Sequence, residues 1–164
     1  EESMFDGQKV SKSRIITSVD YSMVSMEAFE IYAANHDIHV MDFVLKLDAY
    51  TYYMMNLLDY LIGNTDRHWG NWGFLVDNRT NQPVRLFDLM DLNQTFLAYD
   101  TPDGANCMTT GNRKMSQREA AVEAVKKIGL NQRAEIKDEW FKGREKEREM
   151  FWCRFGILKE QWKA

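Results

Sequence analysis

Cysteine is nearly missing. Only Cys107 and Cys153 occur among 164 residues, and neither belongs to a CxxC pair or has metal-ligand spacing. That argues against a disulfide scaffold or a thiolate metal knuckle, and two reduced thiols of a cytosolic protein are expected instead. Long apolar runs are absent as well. No stretch reaches membrane-spanning length, and the acidic start, Glu1-Glu2-Ser3, has neither the basic region nor the apolar run of a secretory signal. Positive charge is in deficit, with a formal net charge of −4, which argues against nonspecific attachment to nucleic acid or to an anionic membrane. Histidine is limited to three residues, and His36 and His39 flank a helix break without a third ligand, so no metal is expected there. Internal repeats and low-complexity tracts are lacking. An initiator Met is also lacking, which leads to the expectation of a piece of a longer protein.

What remains has the size of one domain, with 45% hydrophobic and 28% charged residues, ordinary for a globular chain. Aromatic residues reach 13%, five of them Trp, so rings should build much of the core. Residues 1–7 read as frayed or as a turn, and the β-branched run Val10–Thr17 as a strand. Met23–Asn35 has helical spacing of Met26, Phe29, Tyr32 and Ala33 and is broken by His36-Asp37. Val40–Ile62 is the strongest helix, apolar on nearly all sides and therefore central, and Gly63 can end it in the left-handed conformation. Trp72–Val76 and Val84–Phe87 read as strands joined by the polar turn 77–82. Residues 89–115 form a long loop. Ser116-Gln-Arg-Glu119 is a capping box opening a helix that Gly129 stops. Further helices are expected over Arg133–Phe141 and Arg144–Trp162, the latter with Phe151, Phe155, Leu158 and Trp162 on one stripe. The fold class is thus mainly α with a small β-hairpin, an α+β chain.

The informative stretch is the polar loop Gly63–Asn71 between the central helix and the hairpin. Phosphoryl transfer asks the protein to orient a hydroxyl, accept its proton and hold a divalent cation between oxygens. An Asp-x-x-x-x-Asn loop followed by a hairpin and a second Asp supplies those groups, and Asp66, Asn71 and Asp88 have that order and spacing. Centring the turn between Arg79 and Thr80 pairs Gly73 with Leu86 and Leu75 with Val84, and sets Asn71 opposite Asp88. Cross-strand neighbours have Cβ atoms roughly 5 Å apart, close enough to share one ion.

The run Leu61-Ile-Gly-Asn-Thr-Asp-Arg-His-Trp-Gly-Asn-Trp-Gly-Phe-Leu75, followed by Arg85-Leu-Phe-Asp88, resembles the C-terminal domain of HipA-like serine/threonine kinases. These are bacterial and phage proteins related to toxin–antitoxin modules. The Asp-Arg-His-x-x-Asn core is similar to that of phosphatidylinositol 3- and 4-kinases. The resemblance implies the C-terminal lobe of a protein-kinase-like fold over residues 23–164, with residues 1–22 as the end of an N-lobe or the interlobe linker. It implies Asp66 as catalytic base, Asn71 and Asp88 as Mg²⁺ ligands serving ATP, and a protein Ser or Thr hydroxyl as acceptor. An antitoxin or an N-lobe is the implied partner.

Two features depart from the family. No Gly-rich run or motif lysine precedes the loop, so the isolated chain is expected to be inactive. Leu89-Met90-Asp91 also stands where protein kinases have Phe-Gly.

Several residues keep two readings. His68 either orients the loop or the transferring phosphate, or makes a structural hydrogen bond. Arg67 pairs with an acid or meets substrate. Trp69 and Trp72 form core or pocket wall, and Asp91 is a metal or substrate contact or a surface turn residue. Thr95, Thr101, Thr109 and Thr110 lie where kinases place an activation loop and stand as phosphosites or ordinary loop residues. The rival functions are a phosphoinositide-type lipid kinase and a non-catalytic binding module.

Overall fold

The computed structural model describes residues 2–11, 15–96, 101–110, 115–130 and 135–163. Its elements follow as β1 (Glu2–Phe5), β2 (Gln8–Ser11), β3 (Tyr21–Ser25), α1 (Met26–Asn35), α2 (Val40–Ile62), β4 (Gly73–Asp77), β5 (Gln82–Leu86), α3 (Gln117–Ile128), a 3₁₀ turn (Asp138–Phe141) and α4 (Glu145–Lys163). The class is mixed α and β. β1 and β2 pair as an antiparallel hairpin, and β3-β4-β5 form a separate three-stranded antiparallel sheet. Among the described residues no helix is long and apolar enough to cross a membrane.

Helix α2 is the axis. Val44, Tyr52, Tyr53, Met55, Leu57, Tyr60 and Leu61 are buried along it, and they join Phe74 and Leu86 of the sheet, Ala121, Ala124 and Val125 of α3, and Phe151 and Leu158 of α4 in one core. Rings knit the α1–α2–β4 corner, with Phe29 4.9 Å from Phe43 and 4.7 Å from Phe74 between centroids. Gly63 ends α2 at φ 62°, as its freedom in the left-handed region allows. Inside α2, Asp48 leaves helical geometry (φ −155°, ψ 65°). Its Oδ1 accepts the N–H of Thr51 at 3.1 Å, so it caps the second half of the helix as an N-cap would. Its Oδ2 accepts the N–H of Leu86 at 3.1 Å and so fastens β5 to α2.

The Ser116–Glu119 capping box forms on α3, with both reciprocal bonds made. Four other expectations are corrected. The segment expected as helix from Met23 begins as a strand. Met23 and Val24 pair with Leu75 and Phe74, and Ser25, whose hydroxyl accepts the Ala28 N–H at 3.2 Å, is the cap at which α1 starts. The boundary drawn between 22 and 23 falls inside β3.

The strand expected over Val10–Thr17 is Gln8–Ser11. Its partner is Glu2–Phe5, across Asp6 and Gly7, both at positive φ as a two-residue hairpin turn requires. Ile15–Thr17 has no regular structure, and 12–14 lie outside the described residues. The helix expected over Arg133–Phe141 is one 3₁₀ turn, Asp138–Phe141, with no side-chain cap at Lys137 and a positive-φ Gly143 just beyond it; 131–134 lie outside the described residues. On α4, Phe151 and Leu158 are buried as expected, while Trp162 is 54% exposed.

The fourth correction concerns the hairpin. At its turn end Val76 faces Pro83 and Asp77 faces Gln82, the expected register. A bulge opposite Leu75/Val76 then shifts the ladder by one, so Leu75 faces Arg85 and Phe74 faces Leu86. The shift places Leu86, 2% exposed, beside fully buried Phe74 rather than beside a glycine. It also means that the ladder does not set Asn71 opposite Asp88.

Gly73 has no room for a side chain. A Cβ there would lie 2.1 Å from the Val24 carbonyl oxygen and 2.7 Å from Ser25 Cα, both backbone atoms. Gly73→Ala is therefore expected to cost roughly 3 kcal/mol, the upper end for overpacking, read as a lower urea midpoint. Alkali is a second test of the core. Burial pushes the Tyr52 and Tyr60 phenols up to about 12, against about 10 in an unfolded chain. Protons are then held more tightly by the folded state, so stability is complete below pH 10 and falls as pH rises toward 12. Urea midpoints across that range, with Tyr60→Phe flattening the fall, check it.

Candidate active site

The loop 63–72 is pinned from every side by backbone and buried polar groups. At its start the Asn64 N–H reaches the Asp59 carbonyl at 2.9 Å, and the Asn64 amide donates to Asp59 Oδ1 at 2.8 Å. The Asn64 carbonyl accepts Gln117 Nε2 of α3 at 2.5 Å. At its end, the first N–H groups of α1, which lack intrahelical partners, are taken by loop carbonyls: Met26 N–H by Trp72 at 2.8 Å and Glu27 N–H by Trp69 at 3.0 Å. The Trp69 indole N–H donates to the Met108 carbonyl at 2.8 Å, which ties the loop to the 101–110 segment.

Arg67 forms the centre of the arrangement. It is 3% exposed and grips Asp59 of α2 in a fork, Nε to Oδ2 at 2.8 Å and Nη2 to Oδ1 at 3.0 Å. Its Nη1 donates to two carbonyls, Asn71 at 3.1 Å and Met90 at 2.6 Å. Of its two readings, the acidic partner is the one found. Asp59 was missed in the sequence; the one charged side chain of α2 beyond Asp48, two turns before an arginine in a loop, was the available signal. Asn56, Gln117 and Cys107 were also missed, and Thr109, read as a phosphosite or an ordinary loop residue, is 1% exposed. They form a buried layer beneath the loop in which the Thr109 hydroxyl donates to Asn56 Oδ1 and lies 3.1 Å from Cys107 Sγ. Burial pushes the Cys107 thiol up, while Cys153 is exposed and free.

On this base the loop brings Asp66, His68 and Asn71 together. The Asp66 carboxylate is 42% exposed, and its backbone carbonyl accepts the Asn71 amide N–H. The other amide atom, Asn71 Oδ1, is buried without a hydrogen-bond partner. His68 Nδ1 accepts the Gly70 N–H at 3.0 Å, which leaves the proton of the neutral ring on Nε2, 3.9 Å from Asp66 Oδ1. Of its two readings the structural hydrogen bond is the one found: Nδ1 holds the loop, while Nε2 faces the Asp66 carboxylate.

Asp88 lies at the β5 end, half-exposed, with Oδ1 2.6 Å from Arg85 Nη1. Its segment reaches the loop through the Arg67–Met90 bond rather than through the ladder. Asp91 is exposed at φ 54°, a left-handed turn position that Asp tolerates. Trp72 is buried in the core, and Trp69 is half-buried. Together with Glu27, Glu30, His68, Gly70 and Met108, Trp69 lines a cleft of about 750 Å³. His36 stacks on Tyr32 and His39 caps α2.

Among the described residues no three His, Cys, Asp or Glu side chains gather as a metal cage. Set against family models, curated proteins and solved structures, the chain matches none.

The buried Arg67–Asp59 pair gives a prediction of sign. Arg67→Met strands a carboxylate that is 3% exposed and should cost roughly 3–5 kcal/mol. Adding Asp59→Leu should restore part of that loss, because the uncompensated charge leaves with it. Urea unfolding of the two variants checks the order.

Proposed function

We propose that the chain is the base- and metal-bearing lobe of a HipA-like serine/threonine kinase, moving the γ-phosphoryl group of ATP to a protein hydroxyl. One observation carries the reading. A buried amide oxygen without a partner, Asn71 Oδ1, sits on the same short loop as a solvent-facing carboxylate, Asp66, with an imidazole N–H beside it. Buried polar atoms ordinarily find a hydrogen-bond partner, and one that does not asks for an explanation such as an ordered water, a catalytic role or an ion. An amide oxygen and the Asp88 carboxylate are hard oxygen donors of the kind Mg²⁺ prefers, so their chemistry suits the ion. Bound there, Mg²⁺ would neutralise charge on the phosphate oxygens.

The chain's own residues supply the rest. Asp66 orients the acceptor hydroxyl and takes its proton as the hydroxyl oxygen bonds to the γ-phosphorus. The bond from that phosphorus to the bridging oxygen breaks, and ADP leaves with the electron pair. His68, with its proton on Nε2, donates toward the carboxylate or the phosphoryl oxygens and keeps Asp66 aimed. Arg85 holds Asp88 in the structure described and must release it for the metal role. In this reading the nucleotide-gripping lobe or partner, a cytoplasmic setting and the related toxin–antitoxin context complete the protein. The same Arg85–Asp88 pair favours one rival, a kinase-fold binding module without turnover.

Removing a general base costs on the order of 10²–10⁴-fold. Asp66→Ala and Asp88→Ala in the full gene product should each lower phosphotransfer at least a hundredfold on that scale, with unchanged melting temperature because both carboxylates are solvent-facing. Radiolabel from ATP should enter protein, not lipid. Undiminished transfer in both variants sinks the assignment, and a wild-type product that binds Mg²⁺–ATP without turnover establishes the binding module.

A further inference from the structure

The cleft beside His68 has a charge and a shape that the proposed transfer step does not use. We infer that it is a subsite for a cationic side chain, so that the acceptor segment carries Arg or Lys close to its Ser or Thr. The word acceptor rests on the phosphotransfer reading; the capture of a cationic peptide does not.

The cleft, about 750 Å³, is within the range of sites that enclose a ligand of a few residues. One wall is Trp69, its indole fixed by the 2.8 Å bond to Met108. The facing rim is α1, where Glu27 and Glu30 stand three apart and so share a face. Glu27 is registered against the loop by its own N–H on the Trp69 carbonyl. Gly70 forms the floor. A Cβ there would lie 2.9 Å from His68 Cε1 and 3.5 Å from Glu27 Oε2, so glycine lets the carboxylate and the imidazole share one patch of backbone.

Among the described residues no Lys or Arg lines the cleft. Among the described residues neither glutamate is in an ion pair. Two carboxylates without a counter-charge among the described residues, in one cleft with an indole fixed by its N–H, favour a cation over phosphate or another anion. A guanidinium between them gains both the Coulomb attraction and the ring quadrupole. A bare metal ion is a poorer occupant, since among the described residues no three His, Cys, Asp or Glu side chains gather. The cleft includes His68, 3.9 Å from Asp66, which puts a side chain held there near the carboxylate assigned to the hydroxyl.

The test needs neither nucleotide nor turnover, so its failure and that of the kinase reading are separable. A fluorescein-labelled hexapeptide with two arginines beside one serine is titrated against the 164-residue chain by anisotropy, next to the same peptide with glutamines for arginines. Each exposed charge contact is worth roughly two- to fivefold, so Glu27→Gln/Glu30→Gln should weaken arginine-peptide binding about tenfold. Trp69→Leu should weaken it about threefold. The affinity should fall as salt rises through physiological strength. Glu30→Lys, which leaves the first turn of α1 intact, should abolish binding while circular dichroism stays that of the wild type. Equal binding of the glutamine peptide overturns the inference. So does unchanged affinity in the double glutamine variant or in Glu30→Lys, or absence of binding by the folded wild type.

Discussion

A guanidinium buried under a loop is the constraint to which the rest of this chain conforms. Arg67 is too long and too strongly charged to be left in a core without full satisfaction, and every contact it makes fixes something else. Its fork closes on Asp59, and its remaining nitrogen draws the carbonyls of Asn71 and Met90 to one point. A buried pair of this kind adds little net stability compared with apolar side chains of similar volume, because desolvation offsets most of the attraction. What it contributes is a single geometry, since any other loop conformation leaves a charge or a carbonyl unpaired in the interior.

Helix α2 carries two such devices. Asp59 holds the loop, and Asp48, at the break in the same helix, holds the Leu86 N–H of β5. The two carboxylates are three turns apart on the axis of the core, so the loop and the hairpin are both referenced to one rigid element. The first turn of α1, Gln117 of α3 and the Met108 carbonyl add further ties. The loop is thereby polar and closed on its inner side and open on its outer side, where the Asp66 carboxylate and His68 Nε2 face solvent. A reactive group on a loop is well placed only when the loop cannot move, and here that rigidity comes from buried bonds rather than from regular structure.

Much of this was legible in sequence where the signal is local. The bounds of α2, the Gly63 cap and the Ser116 capping box each depend on residues within one or two turns, and each is found where the pattern puts it. The start of α1 was not, because Met23 and Val24 suit a helix as well as a strand, and only their pairing with Leu75 and Phe74 decides. Asp66, His68 and Asn71 fall together because they share one loop. Asp59 could be seen as the one charge of α2 beyond Asp48, but its partner eight positions on is chosen by how the chain folds back at Gly63, which no window of local pattern contains.

The bulge in β5 shows why Asp88 behaves differently. An unbroken ladder would have set Asn71 across from Asp88 but left Leu86 opposite a glycine, with no side chain to pack against. Cross-strand partners share a face, so the extra residue moves Leu86 beside Phe74, and both become core. Apolar burial of one leucine is worth roughly 1.5–3 kcal/mol, more than proximity of an amide to a carboxylate can return without an ion present. Packing therefore decides the register. The meeting of the Asp88 segment with the loop is then delegated to the Arg67–Met90 bond, two residues further along the chain. Arg85, turned to the same end of the strand, holds the Asp88 carboxylate by charge. The hairpin supplies the position of the second aspartate and a buried arginine ties the segment that follows it to the loop, so the two are controlled by different forces.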